Sequence, residues 1–260
     1  MTRKPAPRGR SSLAPLYAIL GVVALGGIGL LLYQFSGGGG KPVTAPVTVV
    51  MDQAKLNRVQ GTSIGRPDAP VVIYEFADFQ CPGCGQFASM VAPLIKERLV
   101  QPGKVRYVYY DFPLIQLHQN AFLAARAGRC AGEQGKFWEF HDVIYGQQPN
   151  WSTEADPSDL FVEYGARAGV AEGGRFEECL RSDKYAREVS ESMELGKSLG
   201  VQGTPTLIVN GRRLAATPNF ADLEKMVDDA IAGAPAAGTA PAAPAAAAPA
   251  PATPADTAAR

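Results

Sequence analysis

Two cysteines separated by two residues are the clearest candidates for chemistry in this sequence. Cys81 and Cys84 enclose Pro82-Gly83, and a thiol pair at this spacing can form a disulfide that exchanges with other thiols. Cys81 falls where a helix is predicted to begin, and the helix dipole there favours a thiolate. Cys84 lies one turn later on the same helical face, from which it can attack a mixed disulfide at Cys81. The motif therefore predicts intramolecular thiol–disulfide exchange.

The elements that position this pair are a strand before it and a helix after it. Residues 70–76 are apolar and β-rich, and apolar side chains recur at helical spacing after the pair. Pro82 suits the first turn of this helix, whereas Pro93 predicts a kink or break inside it. A second β-rich run at residues 104–110 follows. The order strand, helix, strand predicts a parallel pair of strands.

The rest of the central region predicts helices and then a closing hairpin. Residues 115–199 show apolar spacing typical of helices, which indicates an all-helical insertion. Residues 206–215 predict a β-hairpin that turns at Asn210-Gly211, and an apolar stripe at residues 220–231 predicts a last helix. We therefore expect an α/β fold with an all-helical insertion.

The N-terminal end predicts a membrane anchor. Residues 11–40 contain no charged residue, and the apolar run assigned to a transmembrane helix at residues 13–35 is long enough to cross a bilayer. Basic residues are concentrated in residues 1–12, which keeps that segment in the cytoplasm and places the rest in the periplasm or on the cell-wall side of a bacterial membrane. A cleaved signal peptide is the alternative, but its apolar region is shorter and residues 32–35 make a poor cleavage site.

Composition sets the remaining boundaries. A Gly-rich start indicates a linker at residues 36–60, the catalytic domain is expected at residues 61–233, and the Ala/Pro-rich tail at residues 234–260 is predicted to be disordered. Lys+Arg and Asp+Glu are equal at 25 each, so no overall basic field favours nucleic acid binding.

Two motifs together resemble the DsbA-like branch of the thioredoxin superfamily. They are Glu75-Phe-x-x-x-x-Cys81-Pro-x-Cys84 and Gly200-Val-x-Gly-Thr204-Pro205-Thr206, and the resemblance covers about residues 69–231. It implies a thioredoxin-like fold and a protein thiol:disulfide oxidoreductase that needs no cofactor. It also implies that Pro205 follows a cis bond and that Thr204 offers backbone groups to an extended substrate. An ordinary trans Thr-Pro bond is the alternative.

The resemblance assigns further residues around the pair. Glu75 would lie in the strand beneath the active site, where a buried carboxyl with a raised pKa could take or relay a proton. An outward-facing residue of the same strand is an equal alternative. Phe79, in the loop before Cys81, is a candidate for contact with unfolded substrate. Pro82-Gly83 differs from the Pro-His pair of the strongly oxidising prototype, so the strength of oxidation stays open.

A second cysteine pair lies in the predicted insertion. Cys130 and Cys179 are expected to form a structural disulfide rather than two free thiols, because an oxidising compartment favours bridges. Some DsbA-like proteins carry such a bridge in the same insertion, which supports the pairing. No metal site is predicted, since these cysteines are not spaced with His118 and His141 as zinc ligands. The two histidines are expected to be ordinary helix residues.

These features predict donation of the Cys81-Cys84 disulfide to the thiols of exported or unfolded proteins. The resemblance implies reoxidation by a membrane quinone-linked protein of the DsbB or vitamin K epoxide reductase type. A reductase or disulfide isomerase that uses the same two cysteines is the close alternative. A membrane-tethered binding or chaperone module, in which the pair is only a bridge, is the alternative from another class.

Overall fold

The computed structural model describes residues 47–171 and 174–233, together with Gly27. The segments predicted at residues 1–12, 13–35 and 234–260 lie outside this part of the chain, apart from Gly27. Among the described helices, none has the length and apolar character needed to cross a membrane.

One mixed sheet forms the centre of the described region. Its strands are β1 (Val47–Thr48), β2 (Thr62–Ile64), β3 (Val71–Ala77), β4 (Val105–Asp111), β5 (Thr206–Val209) and β6 (Arg212–Arg213), in the order β1-β6-β5-β3-β4-β2. The predicted parallel pair is confirmed as β3 and β4, and β5 lies antiparallel on the other side of β3. Asn210 and Gly211 have positive φ angles at the turn between β5 and β6, as a tight hairpin requires.

Helices surround this sheet and build the insertion. They are α1 (Gln53–Arg58), α2 (Pro82–Met90), α3 (Ala92–Ile95), α4 (Ala121–Gly132), α5 (Phe137–Gly146), α6 (Gln148–Trp151), α7 (Ser158–Arg167), α8 (Arg175–Arg181), α9 (Ala186–Ser198) and α10 (Phe220–Ala232). The elements α4 to α9 correspond to the predicted insertion. They begin at Ala121 rather than at residue 115, because residues 112–120 form a loop.

The helix after the cysteine pair is interrupted as its sequence predicts. Pro82 is its first residue, and α2 ends at Met90. Val91 separates α2 from α3, in which Pro93 is the second residue. Proline has no N–H for the helical hydrogen bond, and its ring would clash with the carbonyl four residues earlier. A π-helical turn at Lys96–Val100 then leads towards β4.

The prediction of a linker at residues 36–60 is wrong at its C-terminal end. Residues 36–60 were expected to be a spacer, but β1 pairs with β6 and α1 packs on the sheet through Leu56, which is 8% exposed. The side chain of Asp52 caps α1 by accepting hydrogen bonds from the N–H groups of the second and third residues after it. The folded domain therefore includes residues from Val47 onwards.

Alternation along β3 determines which side chains lie beneath the cysteine pair. Val71 and Ile73 pack with α2 and α10 on one face of the sheet, whereas Phe76 packs with α9 on the other. Successive strand residues point to opposite faces. Glu75 therefore points to the same face as Ile73, towards α2 and the cysteines that begin it.

Candidate active site

The cysteine pair lies where α2 begins. Cys81 is the residue before the helix, with extended backbone angles (φ −70°, ψ 123°), and Cys84 lies within its first turn. Both carry free thiols. Cys81 is 9% exposed and Cys84 is completely buried. An external thiol or disulfide can therefore reach Cys81 but not Cys84.

The surroundings of Cys81 favour its thiolate. The Cys84 thiol donates a hydrogen bond to its sulfur, and this is the main cause that lowers the Cys81 pKa to about 5. The Thr204 side chain and the backbone N–H groups of Cys84 and Gly83 add to the effect, while partial burial opposes it. The N–H groups are those left unpaired at a helix N-terminus, which are suited to an anion.

Cys84 has the opposite character. Burial raises its pKa well above the usual value for a thiol, and the nearby Cys81 and Glu75 raise it further. The backbone N–H of Asp78 donates to its sulfur at 3.5 Å. In the reduced protein the pair therefore holds one thiolate, at Cys81, and one thiol, at Cys84.

The loop before β5 completes the surroundings of Cys81. The Thr204-Pro205 peptide bond is cis, which is the conformation that the resemblance implied. The Cys81 thiol, when protonated, donates to the Thr204 carbonyl at 3.4 Å. A Cβ atom added to Gly83 would lie 3.5 Å from the Pro205 ring, so the two segments are in contact. Substrate binding by this loop stays a prediction.

Glu75 is buried beneath the pair, which excludes the outward-facing alternative. Glu75 is 2% exposed, and the Tyr107 hydroxyl donates a hydrogen bond to its carboxylate. Burial raises the Glu75 pKa to about 7, against the opposing effects of Tyr107 and Lys96. A carboxyl with this pKa can gain or lose a proton near neutral pH, as a proton carrier for Cys84 requires.

The prediction that Phe79 contacts substrate is wrong. Phe79 is 1% exposed, and its ring centre lies 4.9 Å from that of Tyr145 and 5.4 Å from that of Tyr109. The chain turns away from the sheet at the end of β3, which directs this side chain into the insertion. Burial in an aromatic cluster is the stable place for a large apolar ring.

The second cysteine pair is joined inside the insertion. Cys130 in α4 and Cys179 in α8 form a disulfide with their Cα atoms 5.8 Å apart. Both residues are buried, at 2% and 7% exposure. The bridge links two helices of the insertion and leaves the Cys81 and Cys84 thiols free.

The sequence did not indicate that Asp78 and His118 belong to the site. The buried carboxylate of Asp78 accepts hydrogen bonds from the N–H groups of Gln80 at 2.7 Å and Leu114 at 2.8 Å, and pairs with His118 Nδ1 at 2.7 Å. His118 lies in the loop at residues 112–120 and not in a helix, contrary to expectation. His141 is a buried residue of α5, as expected, and burial lowers its pKa.

Comparison with known proteins identifies relatives of the whole catalytic region. The family model described as thioredoxin matches residues 57–229, more than half of the chain. A probable disulfide bond formation protein D from Bacillus cereus is 34% identical over 169 residues, which cover 64% of this chain and 76% of that protein.

A sodium/proton antiporter, NhaA 3 from Salinispora tropica, is 38% identical over 170 residues. The match covers 65% of this chain but 24% of the antiporter, so the chain spans about a quarter of that relative's length. Among solved structures, oxidised BdbD from Bacillus subtilis has a TM-score of 0.63 at 21% identity, covering 73% of this chain and 99% of that one. The family model, which matches more than half of the chain, shows that the chain belongs to the thioredoxin family, and the Bacillus cereus relative shows its similarity to a protein named for disulfide bond formation.

Proposed function

We propose that this protein donates the Cys81–Cys84 disulfide to the thiols of exported proteins outside the cytoplasm. A substrate thiolate attacks the Cys81 sulfur, which breaks the Cys81–Cys84 bond and forms a mixed disulfide. Cys84 departs and takes up a proton. A second substrate thiolate then attacks the substrate sulfur of the mixed disulfide and releases Cys81 as a thiolate. The substrate loses two electrons, and the cysteine pair gains them.

The contrast between the two thiol pKa values carries this proposal. Cys81 has a pKa of about 5, and the pKa of Cys84 is raised well above its usual value. A stabilised thiolate favours the reduced form and makes the disulfide a stronger oxidant. Relative to an unperturbed thiol, the Cys81 pKa makes the reduction potential at pH 7 less negative by roughly 60 mV.

Glu75 supplies the proton that this sequence of steps needs. Its carboxyl is buried close enough to raise the pKa of Cys84. When Cys84 leaves as a thiolate in a buried position, its charge is unstable until it is protonated. A neutral Glu75 with a pKa of about 7 is the nearby acid that can give this proton and regain it.

The location and the reoxidation step are part of the same proposal. The apolar segment at residues 13–35 supports a membrane anchor, and the name of the Bacillus cereus relative supports a role in disulfide formation. A membrane quinone-linked protein of the DsbB or vitamin K epoxide reductase type would accept the two electrons from the reduced pair. Sharing one membrane would bring the two proteins together.

A reductase would use the same pair with electrons flowing from the pair to the substrate, and an isomerase would use the reduced pair to rearrange disulfides with no net electron flow. The equilibrium reduction potential distinguishes the oxidase from the reductase, and it is measured against glutathione on the full chain, with Cys130→Ser/Cys179→Ser as the control for the second pair. A reduction potential of about −120 mV supports the oxidase, and one of about −270 mV supports a reductase.

The non-catalytic alternative needs a different experiment. If the pair were only a bridge, wild type and Cys81→Ser would behave alike in an assay that follows oxidation of a dithiol peptide. We expect this variant to lose the activity, because no other described thiol is free and accessible.

A further inference from the structure

A side chain of the helical insertion holds the backbone of the reactive cysteine. Gln148 is the first residue of α6, and its amide nitrogen donates to the carbonyl of Phe79 at 2.7 Å and to that of Cys81 at 3.0 Å. These carbonyls belong to the segment that joins β3 to α2. A residue 67 positions later in the chain thus binds directly to the backbone of Cys81.

We propose that Gln148 is a positioning residue for Cys81, whose amide fixes the Cys81 carbonyl and so keeps the sulfur where its thiolate is stabilised. This inference rests on the proposed function of the cysteine pair. Gln148 does not touch the sulfur, and its role in thiol exchange is exerted through the Cys81 backbone.

The Cys81 carbonyl matters because Cys81 lies at the junction between loop and helix. This carbonyl also accepts the first helical hydrogen bond, from the N–H of Gly85 at 3.1 Å. Two donors on one carbonyl restrict rotation of the peptide that follows Cys81. Rotation there would turn the sulfur away from the Cys84 thiol and from the N–H groups of Gly83 and Cys84, which stabilise its thiolate.

Gly85 is a second, independent observation that favours a dedicated place for Gln148. A Cβ atom added to Gly85 would lie 2.7 Å from the Gln148 side-chain oxygen, which is closer than real contacts of this kind. Glycine in the interior of a helix is less stable than alanine. The glycine in the first turn of α2 therefore leaves the room that the Gln148 side chain occupies.

Another glutamine keeps the loop attached when Gln148 is removed. The amide of Gln80 donates to the Ser152 carbonyl at 2.6 Å and accepts from the Asn120 N–H at 2.8 Å. The loop before Cys81 thus stays bound to the insertion without Gln148. We expect Gln148→Ala to fold and to change the Cys81 peptide locally.

The first test compares Gln148→Ala with Gln147→Ala in the reduced full chain. Gln147 is the neighbouring glutamine, and its side chain binds Asn150 and not the active-site loop. The thiolate absorbance near 240 nm is titrated against pH. For Gln148→Ala the midpoint of Cys81 is expected to rise by roughly 0.5 to 1 pH unit, the size expected when the displaced sulfur loses one of the hydrogen bonds that stabilise its thiolate. Gln147→Ala should titrate as the wild type does.

The second test uses Gly85→Ala to displace the same side chain from the other side. Alone, Gly85→Ala should raise the Cys81 midpoint in the same direction as Gln148→Ala. In the Gln148→Ala background it should cause no further rise, because the side chain that it would displace is already absent. A merely structural role of Gln148 would lower the melting temperature and leave the midpoints unchanged.

These outcomes separate the inference from the proposed function. If Gln148→Ala and Gln147→Ala both titrate as the wild type does, the positioning role is wrong even when wild-type protein oxidises a dithiol peptide. If wild-type protein fails to oxidise that peptide, the proposed function is wrong, and the two titrations still decide the role of Gln148.

Discussion

Replacing Glu75 by glutamine should increase the free energy of unfolding relative to wild type as the pH rises towards 8. Below pH 4.5 the replacement should have little effect on how this free energy depends on pH. The folded protein holds the Glu75 proton up to a pKa of about 7, whereas the ordinary value is 4.5. Between these values the folded state binds more protons than the unfolded state, so stability falls as the pH rises through this window. The sign is opposite to that of a carboxylate in a salt bridge.

The size of the effect follows from the two pKa values. Their difference corresponds to about 3 kcal/mol of unfolding free energy, which wild type loses as the pH rises from 4.5 to above 7. Glutamine has the same shape, can still accept from Tyr107, and does not ionise. The stability of Glu75→Gln relative to wild type should therefore increase by about 3 kcal/mol between pH 4 and pH 8.

Urea unfolding at several pH values measures this difference. Both proteins should carry Cys81→Ser/Cys84→Ser, so that thiol titration does not contribute, and the Cys130–Cys179 disulfide should stay intact. Glu139→Gln is the matched control, because Glu139 is exposed and its ion pair with Lys136 lowers its pKa. Its effect should be small and of opposite sign. A stability difference for Glu75→Gln that does not change with pH would refute the buried, protonated carboxyl.

Three further results are expected. Cys84→Ala should raise the Cys81 pKa, because the Cys84 thiol is its main stabilising partner, and a 240-nm titration that stays near pH 5 would contradict this. Cys130→Ser/Cys179→Ser should cost up to ~4 kcal/mol in urea unfolding and leave the Cys81 titration unchanged, since a long loop is released. Phe79→Ala should cost ~3 to 5 kcal/mol by the same measurement, because a buried ring is lost, and the KM for a dithiol peptide should not change.

Features determined by neighbouring residues could be predicted from the sequence. The Cys81-Pro-Gly-Cys84 motif, the break at Pro93 and the hairpin at Asn210-Gly211 depend on local backbone chemistry, and the structure contains all three. The parallel pair of β3 and β4 followed from the order of apolar segments. These elements were sufficient to place the reactive cysteines at the start of a helix.

Features that depend on distant contacts were missed. Nothing near Phe79 indicates that its ring enters the insertion, and nothing near His118 indicates its bond to Asp78, 40 residues earlier. The two residues of β1 are too few for a periodic pattern, so their pairing with β6 was hidden in an apparent linker. Gln148 likewise has no local signal, because its partners lie in another part of the fold.

In the anchored protein that we propose, the pairing of β1 with β6 would limit the distance between the cysteines and the membrane. It takes residues 47–60 out of the predicted spacer, which leaves residues 36–46 between the proposed anchor and the folded domain. Fully extended, this tether spans at most ~40 Å. If the proposed anchor spans the membrane, a tether of this length would confine the domain to a layer close to the bilayer and would raise its concentration near a membrane-bound reoxidant. The two proteins would then meet by diffusion within the membrane plane, so that weaker docking would be sufficient for the same rate of reoxidation.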